Sequence, residues 1–301
     1  MMTPRWRFVF VGAGGILLIA LVVAIGQLPA VGASGLLHPA RHRVMSSPPP
    51  TCQDETFSGD GLELKGWRCH ASAERRGTLV YLHGIAVNRT SASGVIGRFG
   101  RRGFDVVAYD SRAHGESAGD ACTYGILEKR DLYRVLDTVG PGPIVLVGTS
   151  LGAAVAVQEA ALDTRVTAVV AAETFSDLRT VATERAPFFF TRGTIARAFE
   201  LAEQQGHFEV DAASAVVAAT KIKISVLLVH GAADSDTPPD HSRRVLAALA
   251  GPKRLILVPG AHHNESLRAA VWDEIERWLE DVLRDPAPGG QAIGSRAASH
   301  R

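Results

Sequence analysis

Six short apolar runs, each of strand length and bounded by turn residues, constrain this chain more than any other feature of its sequence. They occupy residues 78–82, 104–109, 144–147, 166–171, 226–229 and 255–258. Helical patterns fall between most of them, at 95–102, 128–137, 151–162 and 243–250, and a last one at 271–283 closes the series. Such alternation predicts an α/β domain with a mostly parallel central sheet flanked by helices. In sheets of this kind, functional residues gather in the loops at the carboxyl ends of the strands. An apparent hairpin precedes the runs, with its turn at Asp60-Gly61 and with Cys52 and Cys69 on its two arms.

A chain of 301 residues, 46% hydrophobic and 21% charged, has enough apolar surface for one large domain with a full core. The formal net charge is +1, so no global field attracts nucleic acid, and none is expected as a partner. The 11 His and 3 Cys form no Cys-x-x-Cys pair and no His-Glu-x-x-His helix, and no Asp-rich calcium loop occurs. No metal and no other cofactor is expected.

At the amino terminus Arg5 and Arg7 precede an uncharged stretch, residues 8–28. As a helix this stretch spans about 31 Å, against a hydrocarbon core of roughly 30 Å. It is expected to anchor the chain in a membrane, with the rest on the extracytoplasmic side. The alternative is a cleaved secretory signal, because Val31-Gly32-Ala33 resembles the small-residue cleavage pattern. Residues 1–50 then comprise the membrane segment and a stiff, poorly packed linker at 29–50 that ends in Pro48-Pro49-Pro50. The folded domain is expected at 51–285, with a disordered tail at 286–301. In an exported domain Cys52 and Cys69 are able to oxidise. A disulfide and two free thiols both stay open, and Cys122 has no assigned role.

Gly148-Thr149-Ser150-Leu151-Gly152 follows the apolar run at 144–147 and leads into an Ala-rich helix. This is the Gly-x-Ser-x-Gly pattern in strand, turn, helix context, where the serine sits in a strained turn and the flanking glycines make room for it. A serine hydroxyl needs a base within hydrogen-bond reach and a carboxylate to orient that base. Asp234 follows the run at 226–229 and His263 the run at 255–258, in the chain order serine, acid, histidine. Asp236 and His262 stand close enough to be rivals. An oxyanion site needs two preplaced N–H donors. The Leu151 N–H is one candidate, and the Ile85 N–H of His83-Gly84-Ile85-Ala86 is the other. His83 and His114 read as structural.

These residues resemble the α/β-hydrolase fold, and within it the serine-aminopeptidase-type or lysophospholipase-like branch with its membrane-anchored abhydrolase-domain members. The likeness runs from about Phe57 to Leu283 and includes Asp110-Ser111-Arg112-Ala113-His114-Gly115-Glu116-Ser117, Thr123-Tyr124-Gly125 and Glu173-Thr174-Phe175. It implies that the acid is the Asp of His-Gly-x-x-Asp-x-x-x-Pro, which selects Asp234 with Pro238 in register. It also implies that the base is the His before Asn, which selects His263. Two positions depart from the pattern: Ala113 stands where glycine is usual, and Ser225 where proline commonly starts the strand. The resemblance further implies a small helical cap over residues 175–224 and a small-molecule or lipid acyl substrate. Pro187-Phe188-Phe189-Phe190 in that cap would line an acyl pocket or anchor the cap. A peptidase using the same triad would need an acidic residue for the substrate amine, and Glu173 is the candidate, although its family-typical place at a strand end favours a structural hydrogen-bonding role for it.

Overall fold

The six apolar runs form the parallel part of one eight-stranded sheet in the computed structural model, which describes residues 4–285, with side chains described from Leu21 onward. The strands are β1 (Cys52–Ser58), β2 (Glu63–Cys69), β3 (Gly77–Leu82), β4 (Phe104–Tyr109), β5 (Ile144–Thr149), β6 (Val166–Ala172), β7 (Ser225–Gly231) and β8 (Lys253–Val258). Their spatial order is β1-β2-β4-β3-β5-β6-β7-β8. Strands β3 to β8 lie parallel to one another, while β1 and β2 make an antiparallel hairpin at one edge, with β2 joined antiparallel to β4.

Alternate side chains of each strand enter different cores, as the two-residue period of a strand requires. Leu79 and Tyr81 of β3 pack with α2 (Ser93–Gly100) and α9 (Ala269–Arg284) on one face. Val80 and Leu82 pack with α3 (Glu128–Leu136), α4 (Leu151–Ala160) and α8 (Asp240–Ala248) on the other. Every residue of β6 and β7 is buried, which explains why their sequences read as unbroken apolar runs. Between β6 and β7 the chain leaves the sheet to form α5 (Leu178–Glu184), α6 (Arg192–Gly206) and α7 (Ala215–Ala219). Of these helices, α5 and α6 border the space beside Ser150, just past the carboxyl end of β5.

The amino-terminal segment departs from expectation. Helix α1 runs from Pro4 to Leu37 and passes through Pro29, so no linker begins there. A proline inside a helix forfeits one backbone hydrogen bond, and tertiary contacts of the last turns offset that loss. Ala33 and Leu37 are fully buried. The Cys122 N–H donates to Leu37 O (2.8 Å), and Tyr124 Oη–H donates to Leu36 O (3.0 Å). Beyond the helix the chain is pinned rather than loose: Arg41 donates to Ser117 O (3.0 Å) and Asn88 to His42 O (2.9 Å). Among the described residues no helix is long and apolar enough to cross a membrane. The membrane span expected at 8–28 therefore has no support there, and its side chains up to Ala20, with Arg5 and Arg7, lie outside the described residues. The tail expected to be disordered at 286–301 also lies outside them. Cys52 and Cys69 face each other across β1 and β2 and form a disulfide, while Cys122 is a buried free thiol.

Candidate active site

Ser150 occupies the tight turn between β5 and α4 with φ +49° and ψ −112°, a left-handed conformation that costs an ordinary residue roughly 1–3 kcal/mol. The flanking glycines have the steric role the sequence suggested. A Cβ on Gly148 would stand 2.3 Å from Gly152 O, and one on Gly152 would stand 2.2 Å from Leu82 O. The turn is held from below by the Ser150 N–H, which donates to Ala172 O at the end of β6 (2.8 Å).

The loops after β7 and β8 bring Asp234 and His263 to this serine. Ser150 Oγ lies 3.1 Å from His263 Nε2, and His263 Nδ1 lies 2.7 Å from Asp234 Oδ2. Both rivals point elsewhere. His262 is exposed, and its N–H donates to Glu265 (3.0 Å). Asp236 is exposed as well, and its N–H donates to Asp234 Oδ1 (3.0 Å). Burial works against the charge on Asp234. Hydrogen bonds from His230, His263 and the Thr237 N–H outweigh it and hold the carboxyl well below the usual carboxylate range.

Two buried residues support this arrangement. His230 is completely buried; Ser242 Oγ–H donates to its Nδ1 (2.7 Å), while its Nε2–H donates to Thr237 O (2.7 Å) and lies 3.3 Å from Asp234 Oδ2. It stands four residues before Asp234, and that spacing within His-Gly-x-x-Asp is the signal that marks it. Glu173 has both oxygens engaged by the loop that carries His263, accepting the N–H groups of Asn264 (2.6 Å) and Ser266 (3.0 Å).

Among the described residues neither the Ile85 nor the Leu151 N–H has a protein acceptor. Leu151 is the first residue of α4, where a helix cannot use its own N–H. An added Cβ on Gly84 would make only an ordinary contact with Ser150 Cβ at 3.5 Å, so the approach of this loop does not require a glycine. His83 is held by Gly84 O (2.7 Å) and by the Ser111 N–H (2.9 Å), and burial, reinforced by His114, pushes it down to about 3. It is a neutral prop of the loop.

Two cavities meet at Ser150. One, of about 360 Å³, is walled by apolar side chains that include Phe175, Phe190, Ile195 and Phe199. The other, of about 500 Å³, is polar and is bordered by Glu184, Arg185, Asp236, His263 and Asn264. Of the three phenylalanines expected to act together, only Phe190 lines the apolar cavity. Phe188 is 99% exposed and Phe189 53%. Arg185 sits between the cavities, donating to Asp236 O (2.7 Å) and to Thr237 Oγ1. It thereby ties the cap to the loop of Asp234. No group of His, Cys, Asp and Glu among the described residues is arranged to hold a metal.

This sheet, with a strained serine turn after β5 and a cap between β6 and β7, is the α/β-hydrolase fold. A family model described as alpha/beta hydrolase fold matches residues 77–210 of the chain. Among curated proteins it is similar to the uncharacterized protein YfhR of Escherichia coli K12, with 27% identity over 89% of this chain and 93% of that one. It is similar to the uncharacterized protein Rv2307c of Mycobacterium tuberculosis to the same degree, over 87% and 95%. Among solved structures it superimposes on the Pyrococcus furiosus esterase Pf2001 with a TM-score of 0.64 at 21% identity, covering 81% of this chain and 98% of that one. The Pyrococcus horikoshii acylaminoacyl peptidase gives 0.62 at 15% identity, covering 81% and 42%.

Proposed function

We propose that the protein is a serine hydrolase that cleaves carboxylic esters of lipid-like or small acyl substrates through an acyl-enzyme on Ser150. The observation that carries this reading is the unbroken hydrogen-bonded line from Ser150 through His263 to Asp234 at the meeting point of the two cavities. Ser150 Oγ attacks the ester carbonyl as His263 Nε2 takes its proton, and the Asp234 carboxylate stabilises the resulting imidazolium. The Ile85 and Leu151 N–H groups bind the oxyanion. His263 then protonates the departing alcohol, and water, activated by the same imidazole, releases the acid. The apolar cavity takes the acyl chain and the polar one the leaving group.

Ser150→Ala is expected to lose roughly a millionfold in turnover of p-nitrophenyl esters and all labelling by a fluorophosphonate. Wild-type turnover by the purified variant would overturn the assignment. An aminopeptidase or acyltransferase with the same triad is the alternative, and aminoacyl anilides compared with esters separate them. The amine-reading role considered for Glu173 has little support, because both its oxygens are occupied by backbone N–H groups. A catalytically inert binding module is the third reading, and retention of all three triad residues weighs against it.

We also infer an extracytoplasmic location with the residue 8–28 stretch as membrane anchor; the supports are that stretch and the Cys52–Cys69 disulfide, which suits an oxidising compartment. Retention of the chain in the membrane pellet after alkaline carbonate washing is the expected result, and release into the wash would refute anchoring.

A further inference from the structure

The apolar cavity beside Ser150 is closed on one side by a helix that precedes the whole sheet in the chain. We propose that the last turns of α1, through Gly32, Gly35 and Leu36, form the wall that sets which acyl chains the site accepts. This deepens the ester-hydrolase reading and rests on it for the identity of the substrate.

Three observations carry it. First, Val31, Gly32, Gly35 and Leu36 line the cavity directly, together with Phe190 and Ile195 of the cap. Second, this wall is fixed in place. Helix α1 lies against α6 through two close crossings. A Cβ on Gly32 would stand 3.0 Å from Ala198 Cβ and from Phe190 Cε2, and a Cβ on Gly206 would stand 2.8 Å from Leu37 Cδ2. Ala33 and Leu37 face inward with no exposure, and the carbonyls of Leu36 and Leu37 are bonded to Tyr124 and Cys122. Third, the wall has a gap. A Cβ on Gly35 would meet nothing within 4 Å, so the absence of a side chain there leaves space at the cavity mouth.

The chemistry of the lining names the occupant. Among the described residues Arg185 is the one charged residue around this cavity, and its guanidinium is turned to Asp236 and Thr237. What remains recognises hydrocarbon, and a linear acyl chain esterified at its head reaches Ser150 from such a channel. Cleavage at Val31-Gly32-Ala33 would remove part of the wall and the buried Ala33, so the working chain retains its amino-terminal helix.

The test uses the full-length chain in detergent, with p-nitrophenyl butyrate and laurate as substrates and a fluorophosphonate to count active sites. Gly35→Phe is expected to lower the laurate-to-butyrate ratio of kcat/KM about tenfold, the effect of roughly two buried methylenes. The loss should appear in KM for laurate rather than in kcat. Leu36→Ala enlarges the cavity and is expected to move the ratio the other way; it also carries the test should Gly35→Phe fail to take up the fluorophosphonate. Binding of a fluorescent dodecanoate probe to Ser150→Ala is expected to weaken about tenfold when Gly35→Phe is added. An unchanged ratio in correctly labelled variants, or unchanged probe binding, overturns the proposal. A chain that ignores both esters and the fluorophosphonate, yet loses probe binding on Gly35→Phe, refutes the hydrolase reading and leaves the wall standing.

Discussion

Glu173 stands 4.0 Å from His263 Nδ1 but spends its carboxylate on the loop beyond the ring, accepting the N–H groups of Asn264 and Ser266. Glu173 and Asn264 both hold positive φ, +56° and +65°, so two strained turns are clamped together by this one side chain. The clamp fixes where the imidazole sits relative to Ser150.

Glu173→Gln replaces one acceptor oxygen by an NH₂ group that faces a backbone N–H. Stability is expected to drop by about 1–3 kcal/mol, and kcat by about 10- to 100-fold with little change in KM, because a displaced base costs rate rather than binding. Urea denaturation and ester kinetics check the two halves. A wild-type kcat would mean that the loop holds its shape without the clamp.

His230 supplies the foremost of the interactions that hold Asp234 ionised against its burial. The carboxyl lies below its unfolded value, so its stabilising charge is fully present above the ordinary carboxylate pKa and is lost as pH falls through the folded value. The amide of His230→Asn is too short to serve both Thr237 O and Asp234, and the Asp234 carboxyl should rise. The acid limb of the kcat profile is then expected to move to higher pH. Superimposable acid limbs would remove His230 from this role.

Glu159 in α4 is 2% exposed, and burial, reinforced by Asp163, pushes its carboxyl up to about 8 despite Arg165 and Lys129. The folded protein therefore holds a proton that the unfolded chain, with a value of about 4.3, releases. Stability should fall as pH rises between those two values and level off above them. Glu159→Gln is expected to match the wild type near pH 4 and to exceed it by roughly 1–4 kcal/mol at pH 8.5. Parallel pH dependences of the two proteins in urea denaturation would contradict this.

The Cys52–Cys69 disulfide closes a loop with a sequence separation of 17, which in the chain-entropy model is worth about 3 kcal/mol. Replacing both cysteines by serine is expected to lower stability by that order, and a reductant should lower the wild-type Tm while leaving the variant unmoved. Equal Tm values without reductant would show that the edge hairpin contributes no such constraint.

The sheet was legible because its central strands are buried on both faces and so spell continuous apolar runs, as 226–229 does within the fully buried β7. That Ser150, Asp234 and His263 come together was legible for a related reason: each lies just past a strand end, and chain order limited the choice. Resemblance, not spacing, separated His263 from His262. The unusual Ala113 proves to hold φ +61°, so the glycine common at that position has a backbone reason, and this chain tolerates its absence. What stayed hidden was tertiary. Pro29 and Pro48-Pro49-Pro50 suggested a linker, and only the inward-facing Ala33 and Leu37 show that the helix continues and packs. Glu173 and His230 act on backbone groups and buried side chains, partners that only the folded chain brings to them.

The packing of α1 also sets an order of events during synthesis. Leu36 leaves the ribosome long before Tyr124, the residue 88 positions later whose hydroxyl caps its carbonyl, and before α6, which supplies Gly206 against Leu37. The first helix made is thus among the last to be covered. Through that interval its apolar face is an aggregation hazard of the kind that nascent chains meet by shelter from a chaperone or a lipid surface. Substitutions that weaken the α1–α6 crossing should consequently show up as lost yield in cells before they show up as lost stability in vitro.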